Sequence, residues 1–427
     1  VVSRGLFTYL DDDEVATVYA HELGHILHWD FAVMTLASTL VQITYLIYVF
    51  ARRIGSGGGS SKVKDAAQSA ALVAYIFYII GTYLVLYLSR TREYFADHFA
   101  AESTGNPNGL SRALVKIAYG IVEEGSRQKE PSRLLEGTRA LGIYDAKAAA
   151  TTGTAYRVAA APEKIGSVFL SDLFNPWGWW MEQRSTHPLP GKRVQALSTH
   201  AEQLGLETEF DMGRVVGEGR SLNKSRLYGS FLRDLVIYRA DLLCLLVGLA
   251  IASILYAMTA NWVPLVTFTL IGWGVGCLLR AIVMYPKFAQ APQTDILTLM
   301  SDPYASPLRG RPVELQGELI GRGDSGYAFG SDLKLQDPTG MVYLHYASRF
   351  GAIGNFLFGS KRVQGLIGSQ GLAIGWFRRG MMPWVDLVRF TAAGGTVVNS
   401  YHRFWSVAIG LLLIGLGIVL GTFVLPL

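Results

Sequence analysis

Five apolar windows, each long enough to cross a bilayer, dictate the architecture of this 427-residue chain. Residues 31–51, 70–88, 242–258 and 406–427 carry no charged side chain, and residues 263–284 carry only Arg280. At ~1.5 Å of rise per residue, each window spans a ~30 Å hydrocarbon layer as a helix. Their spacing predicts a first membrane hairpin over 31–88, a second over 241–286 and a single last crossing over 404–427. Glycines at 410, 415, 417 and 421 suit a last helix that packs closely on neighbours in lipid. The expected class is a mainly α, multi-pass membrane protein whose first partner is the lipid bilayer.

The stretches between the windows read as ordinary aqueous-phase protein. The net charge of +5 is spread over scattered Lys and Arg residues with no basic block of five, a layout that fits an anionic leaflet and excludes a nucleic-acid partner. Cys244 and Cys277 both fall inside apolar windows without metal-type spacing, so they are read as small packed residues and not as ligands or a disulfide. The chain opens at Val1, with no targeting segment before its first helix, and is expected to be a piece of a longer protein.

From 312 to about 395 the periodicity changes. Leu333-Lys-Leu335-Gln336 and Val342-Tyr-Leu344-His-Tyr346 alternate around the turn Asp337-Pro-Thr-Gly340, which predicts a small antiparallel β domain, barrel-like or a sandwich. Tyr343, Tyr346, Trp376 and Trp384 are expected in its core.

The chemistry concentrates in Val18-Tyr-Ala-His21-Glu22-Leu-Gly-His25-Ile-Leu-His28, where H-E-x-x-H lies in an otherwise apolar helix opened by Asp11, Asp12, Asp13 and Glu14. A spacing of four puts His21 and His25 on one face, where two imidazoles can share a zinc ion, with Glu22 beside them as the catalytic base. The protease class with a glycine at +7 and a histidine at +10 is excluded, because those positions hold His28 and Phe31.

A third ligand must come from elsewhere, and Ser89-Arg-Thr-Arg-Glu93-Tyr-Phe-Ala-Asp97 offers Glu93, with Asp97 one turn on to orient a histidine ligand. Two antiparallel helices joined near Gly55–Ser61 return Glu93 to the level of His25. Two alternatives remain open: Glu102 as the ligand, and Glu93 as an interfacial carboxylate paired with Arg90 or Arg92. His28 and His98 are read as polar neighbours, since three ligands already leave the open position that catalysis needs.

These residues resemble the HtpX-like membrane zinc metallopeptidases, related to the CAAX prenyl endopeptidases. The resemblance covers roughly residues 1–200 and rests on Gly5-Leu-Phe-Thr-Tyr-Leu-Asp-Asp-Asp-Glu14, the helix with His21, Glu22 and His25, the membrane hairpin, Arg90-Thr-Arg-Glu93-Tyr-Phe-Ala-Asp97, and Ser185-Thr-His-Pro188 followed by Arg193. It implies a helical gluzincin-type domain over 1–240, one zinc per chain, endopeptidase activity, and a role for His187 in stabilising the transition state. The family's further membrane segments and substrate-lining strand before the motif have no counterpart in the residues ahead of His21. The β region resembles an OB-like barrel.

The expected function is hydrolysis of membrane or membrane-associated proteins at the membrane surface, in a quality-control role. The competing reading is a catalytically silent scaffold or adaptor that acts through its β domain. Arg90, Arg92, Arg239, Lys287 and Arg403 fall on the catalytic side of the predicted crossings, which places the active site in the cytoplasm of a bacterial-type inner or plasma membrane. Arg52, Arg53, Lys62 and Lys64 on the opposite loop run against that assignment and are outweighed by the remaining crossings.

Overall fold

An acidic cap begins the first helix: Asp11 closes a reciprocal box with Glu14, its N–H donating to the Glu14 carboxylate at 3.0 Å. The computed structural model describes residues 10–57, 60–118, 162–288, 291–323, 329–380 and 383–424. The chain divides into two compact units, one holding described residues 10–117 and 178–212, the other 118, 162–177 and 213–424.

In the first unit the motif helix runs Asp12–Leu27 and ends at His28. Trp29 then takes a left-handed conformation, φ 56°, before a new helix starts at Asp30. That conformation costs an L residue roughly 1–2 kcal/mol, and it lets the chain turn so that Asp30 faces back toward the motif helix. The first span, Asp30–Ser56, packs along a long helix, Ser61–Thr104, as an antiparallel hairpin. Both extend past the windows expected for them, so helix continues into the glycine-rich link as far as Ser56. Side chains such as Leu40, Phe50, Leu72 and Phe77 stay exposed along the hairpin, as lipid contact requires.

The motif helix lies on the lower part of the long helix, and Gly24 sets how close they come. A Cβ there would stand 3.2 Å from Ala96 Cα and 3.2 Å from the Phe99 ring. The unit also contains most of helix Pro107–Ala118 and helix Pro190–Gln203.

In the second unit the spans Ala240–Thr259 and Phe404–Val424 both pack on the middle span, Val263–Met284. The middle helix uses three glycines on two faces. Added Cβ atoms would stand 2.3 Å from the Cys244 carbonyl at Gly272, 2.3 Å from the Ala240 carbonyl at Gly276, and 2.6 Å from the Gly410 carbonyl at Gly274. Small residues at a spacing of four let the backbones touch, and packing of this kind drives helix association in lipid. All five expected crossings are therefore helices of spanning length and composition. Cys244 and Cys277 are free and half-buried.

The same unit carries a six-stranded sheet, in the order β3-β2-β1-β4-β5-β6, made of β1 (Arg311–Arg322), β2 (Leu333–Asp337), β3 (Gly340–His345), β4 (Gln370–Arg378), β5 (Trp384–Ala392) and β6 (Val397–Asn399). Val313, Leu315, Leu335, Leu344, Val385 and Phe390 alternate inward to form its buried face. Two features depart from the expected antiparallel domain. β3 and β5 pair in parallel, Leu344 opposite Val385, and helices Gly351–Lys361 and Val363–Leu366 lie between β3 and β4. A parallel pairing needs a crossover connection, and the helical segment together with β4 supplies it. Tyr343 and Trp376 are buried as expected, whereas Trp384 and Tyr346 are half-exposed.

Replacing Gly272 by Leu is expected to lower the stability of the detergent-solubilised protein by about 1–3 kcal/mol through forced separation of the two helices. The same change at Gly415, whose added Cβ meets nothing within 4 Å, is expected to leave the melt unchanged. Equal melting shifts at the two positions would refute this packing account.

Candidate metal centre

One turn apart on the motif helix, His21 and His25 direct their Nε2 atoms at each other across 3.1 Å. Each ring is held from behind by a carboxylate. Asp97 Oδ1 lies 2.9 Å from His21 Nδ1, and Asp30 Oδ2 lies 2.6 Å from His25 Nδ1. A carboxylate beside Nδ1 fixes the tautomer with its proton there, so both Nε2 atoms present lone pairs to the same point. Glu93 closes the triangle, with Oε2 at 3.7 Å from His21 Nε2 and Oε1 at 3.5 Å from His25 Nε2. Three electron-pair donors facing one another repel unless a cation lies between them. The donor set, two imidazoles and a carboxylate, fits a zinc-type ion and leaves a position open.

The supporting charges are buried. Arg193, 1% exposed, donates to both oxygens of Asp97, from Nε at 2.8 Å and Nη2 at 2.5 Å, and its Nη1 lies 3.1 Å from Glu93 Oε2. Burial opposes the Arg193 charge, and Asp97 and Glu93 outweigh it, holding the guanidinium above its ordinary pKa. Burial lowers the His21 imidazole below its usual value despite Asp97, so the ring stays neutral, the form that binds a metal. Burial likewise raises the Glu22 carboxyl, with Glu93 adding to the effect. Glu22 Oε1 is buried and accepts no hydrogen bond from the described residues.

His187 arrives on the connection between helices Pro176–Glu182 and Pro190–Gln203, its Nδ1 3.0 Å from Glu93 Oε1. Arg90 anchors that connection, donating to the carbonyls of Glu182 at 2.7 Å and Ser185 at 2.9 Å. The Ser185 hydroxyl donates to the His187 carbonyl at 2.7 Å and fixes the turn.

His21, His25, Glu93, Asp97 and His187 gather here, Glu93 standing against His21, His25 and His187 and Asp97 against His21, and Glu22 projects from the motif helix. Neither Arg90 nor Arg92 pairs with Glu93; Arg92 is an ion-pair partner of Asp30 and donates to the His28 carbonyl at 2.6 Å. Glu102 stands with His98 and His200, away from the pair of imidazoles. His28 packs its ring near Phe95 and Phe99. Sequence reasoning did not assign Asp30 to His25, nor Arg193 to Asp97 and Glu93. A signal for Asp30 existed in its position five residues after His25, past a helix end.

Comparison with known proteins points first to a class. Residues 1–201 match the model of peptidase family M48. More narrowly, the curated relatives are proteases of HtpX type. A "Protease HtpX homolog" of Methanothermobacter thermautotrophicus is 37% identical over 139 residues, covering 32% of this chain and 50% of that protein. One from Aeropyrum pernix is 32% identical over 212 residues, covering 48% and 63%. "Protease HtpX homolog 2" of Methanosarcina mazei is 33% identical over 204 residues, covering 48% and 59%. Over residues 1–201 the chain is therefore similar to peptidase family M48 and to HtpX-type proteases. The chain spans about half to two thirds of the length of the curated relatives it matches. No solved structure matches it.

Arg193→Met is expected to destabilise the protein by about 3–5 kcal/mol, because it leaves Asp97 and Glu93 buried without their counter-charge. Thermal unfolding measures this; a shift below 1 kcal/mol would show that the guanidinium is not the centre's main support.

Proposed function

We propose that the chain is a membrane-embedded zinc endopeptidase that hydrolyses peptide bonds of membrane or membrane-associated proteins. The observation that carries this reading is the pair of carboxylate-backed imidazoles with lone pairs converging beside Glu93. His21, His25 and Glu93 would hold one zinc ion, which when bound acts as a Lewis acid toward a peptide carbonyl and the attacking water. Glu22 takes the proton from that water and passes it to the leaving amine, and its raised carboxyl pKa suits both halves of the transfer. Asp97 and Asp30 keep the imidazoles oriented. His187, placed on Glu93 by the Arg90-anchored turn, is assigned to the developing oxyanion.

The domain reading that goes with it has a gluzincin-type helical unit within 1–240, a second hairpin over 241–286, a β domain over 312–395 and a last crossing over 404–427. An OB-like barrel is supported by strand pairings that return to their start, β1–β2–β3–β5–β4–β1. A silent scaffold acting through this β domain is the less favoured reading, since it leaves the buried Glu22 oxygen, which has no hydrogen-bond partner among the described residues, without a purpose.

Glu22→Gln is expected to retain zinc, measured by metal analysis, and to lose peptide hydrolysis. Glu93→Ala is expected to lose the metal. Normal turnover by Glu22→Gln would remove its role as base, and an unchanged zinc content in Glu93→Ala would remove the third ligand.

The crossings and their flanking Arg and Lys residues favour a cytoplasmic active site in a bacterial-type inner or plasma membrane. In a chain with Cys244 and Cys277 replaced by Ser, Ser60→Cys is expected to react with an impermeant thiol reagent on intact cells, and Asn106→Cys is not. The reverse pattern would put catalysis outside.

A further inference from the structure

Past Glu93, the long helix carries a second set of ligand-type groups. His98 and Glu102 stand one turn apart on it, and His200 faces them from Pro190–Gln203. The His98 and His200 ring centroids are 4.5 Å apart, His98 Nδ1 is 3.5 Å from Glu102 Oε2, and one ligand atom from each of the three lies within 4.8 Å of the others. His200 Nε2 is buried and makes no hydrogen bond among the described residues. A surface ion pair between His98 and Glu102 accounts for two of these groups and is worth little by itself. It leaves the buried His200 nitrogen unexplained.

We propose that His98, Glu102 and His200 form a second divalent-cation site of zinc type, separate from the His21–His25–Glu93 centre. Two imidazoles and one carboxylate suit zinc and its neighbours in the transition series and do not suit magnesium or calcium, which take oxygen ligands. A histidine and a glutamate at i and i+4 present both ligands from one helix face, and the third ligand comes from a different helix. His98 and Glu102 are more than half exposed, so water completes the coordination.

The site is a staple and not a second active centre. Arg193 and His200 lie seven residues apart on one helix, about 10 Å along one face. Arg193 binds the long helix at Asp97 and Glu93, and the second cation binds the same two helices one to two turns further on. Its occupation restrains the helix that delivers Arg193, and through it the buried carboxylates of the first centre.

Zinc counting on the full-length chain after equilibrium dialysis against free Zn2+ tests this. The wild type is expected to bind two zinc ions per chain, His200→Ala one, Glu93→Ala one, and the combination none. Added zinc beyond the first equivalent is expected to raise the melting temperature of the wild type and not of His200→Ala. His200→Gln serves in the same measurements if the alanine variant does not fold. The proposal is overturned if the wild type saturates at one zinc that Glu93→Ala removes, or if neither His200 variant lowers the zinc count. Two zinc ions retained in Glu93→Ala would instead overturn the assignment of the first centre and leave this one standing.

Discussion

Two carboxylates on adjacent turns of one helix, buried together, cannot both stay charged unless a cation holds them, and Arg193 is that cation. Glu93 and Asp97 share a face of the long helix, and each is almost fully buried. The Arg193 guanidinium reaches both, with its planar fork on Asp97 and its remaining Nη on Glu93. Asp97 thereby stays free to orient His21, and Glu93 stays free to face the imidazoles. His21 and the third carboxylate take their positions from this buried charge cluster, and His187 meets it at Glu93.

The local parts of that arrangement can be read from sequence because they follow from helix periodicity. His21 and His25 at a spacing of four, and Glu93 and Asp97 at the same spacing, define two facing stripes before any coordinates are known. The five crossings are equally plain, because ~20 apolar residues leave a backbone in lipid no alternative to a helix. The parts that escaped are those fixed by contacts between distant segments. Asp30 belongs in sequence to the start of a membrane span, where it reads as a flanking charge; only the left-handed turn at Trp29 brings it to His25. Arg90 and Arg92 read as a basic membrane flank, yet one holds a loop and the other neutralises Asp30. The alternating strands gave the β region away, but the parallel β3–β5 pair and the helices between β3 and β4 depend on how the sheet meets itself. Periodicity carries no information about that.

Asp30 and Arg92 tie the centre to the membrane hairpin. A carboxylate at the head of an apolar span is costly unless paired, and Arg92 comes from the other arm of the same hairpin. The pairing fixes the register of the two arms, since a slip of one turn, about 5.4 Å, would part Asp30 from Arg92. It also fixes the imidazole. His25 Nδ1 has its carboxylate only while Asp30 faces back across the Trp29 break, and Asp30 faces back only while Arg92 and the His28 carbonyl hold the corner together. The hairpin is therefore part of the candidate metal centre's support and not merely an anchor for it. A change deep in either arm that shifts their register, such as filling the space beside Val41 at Gly81, acts on His25 without touching it.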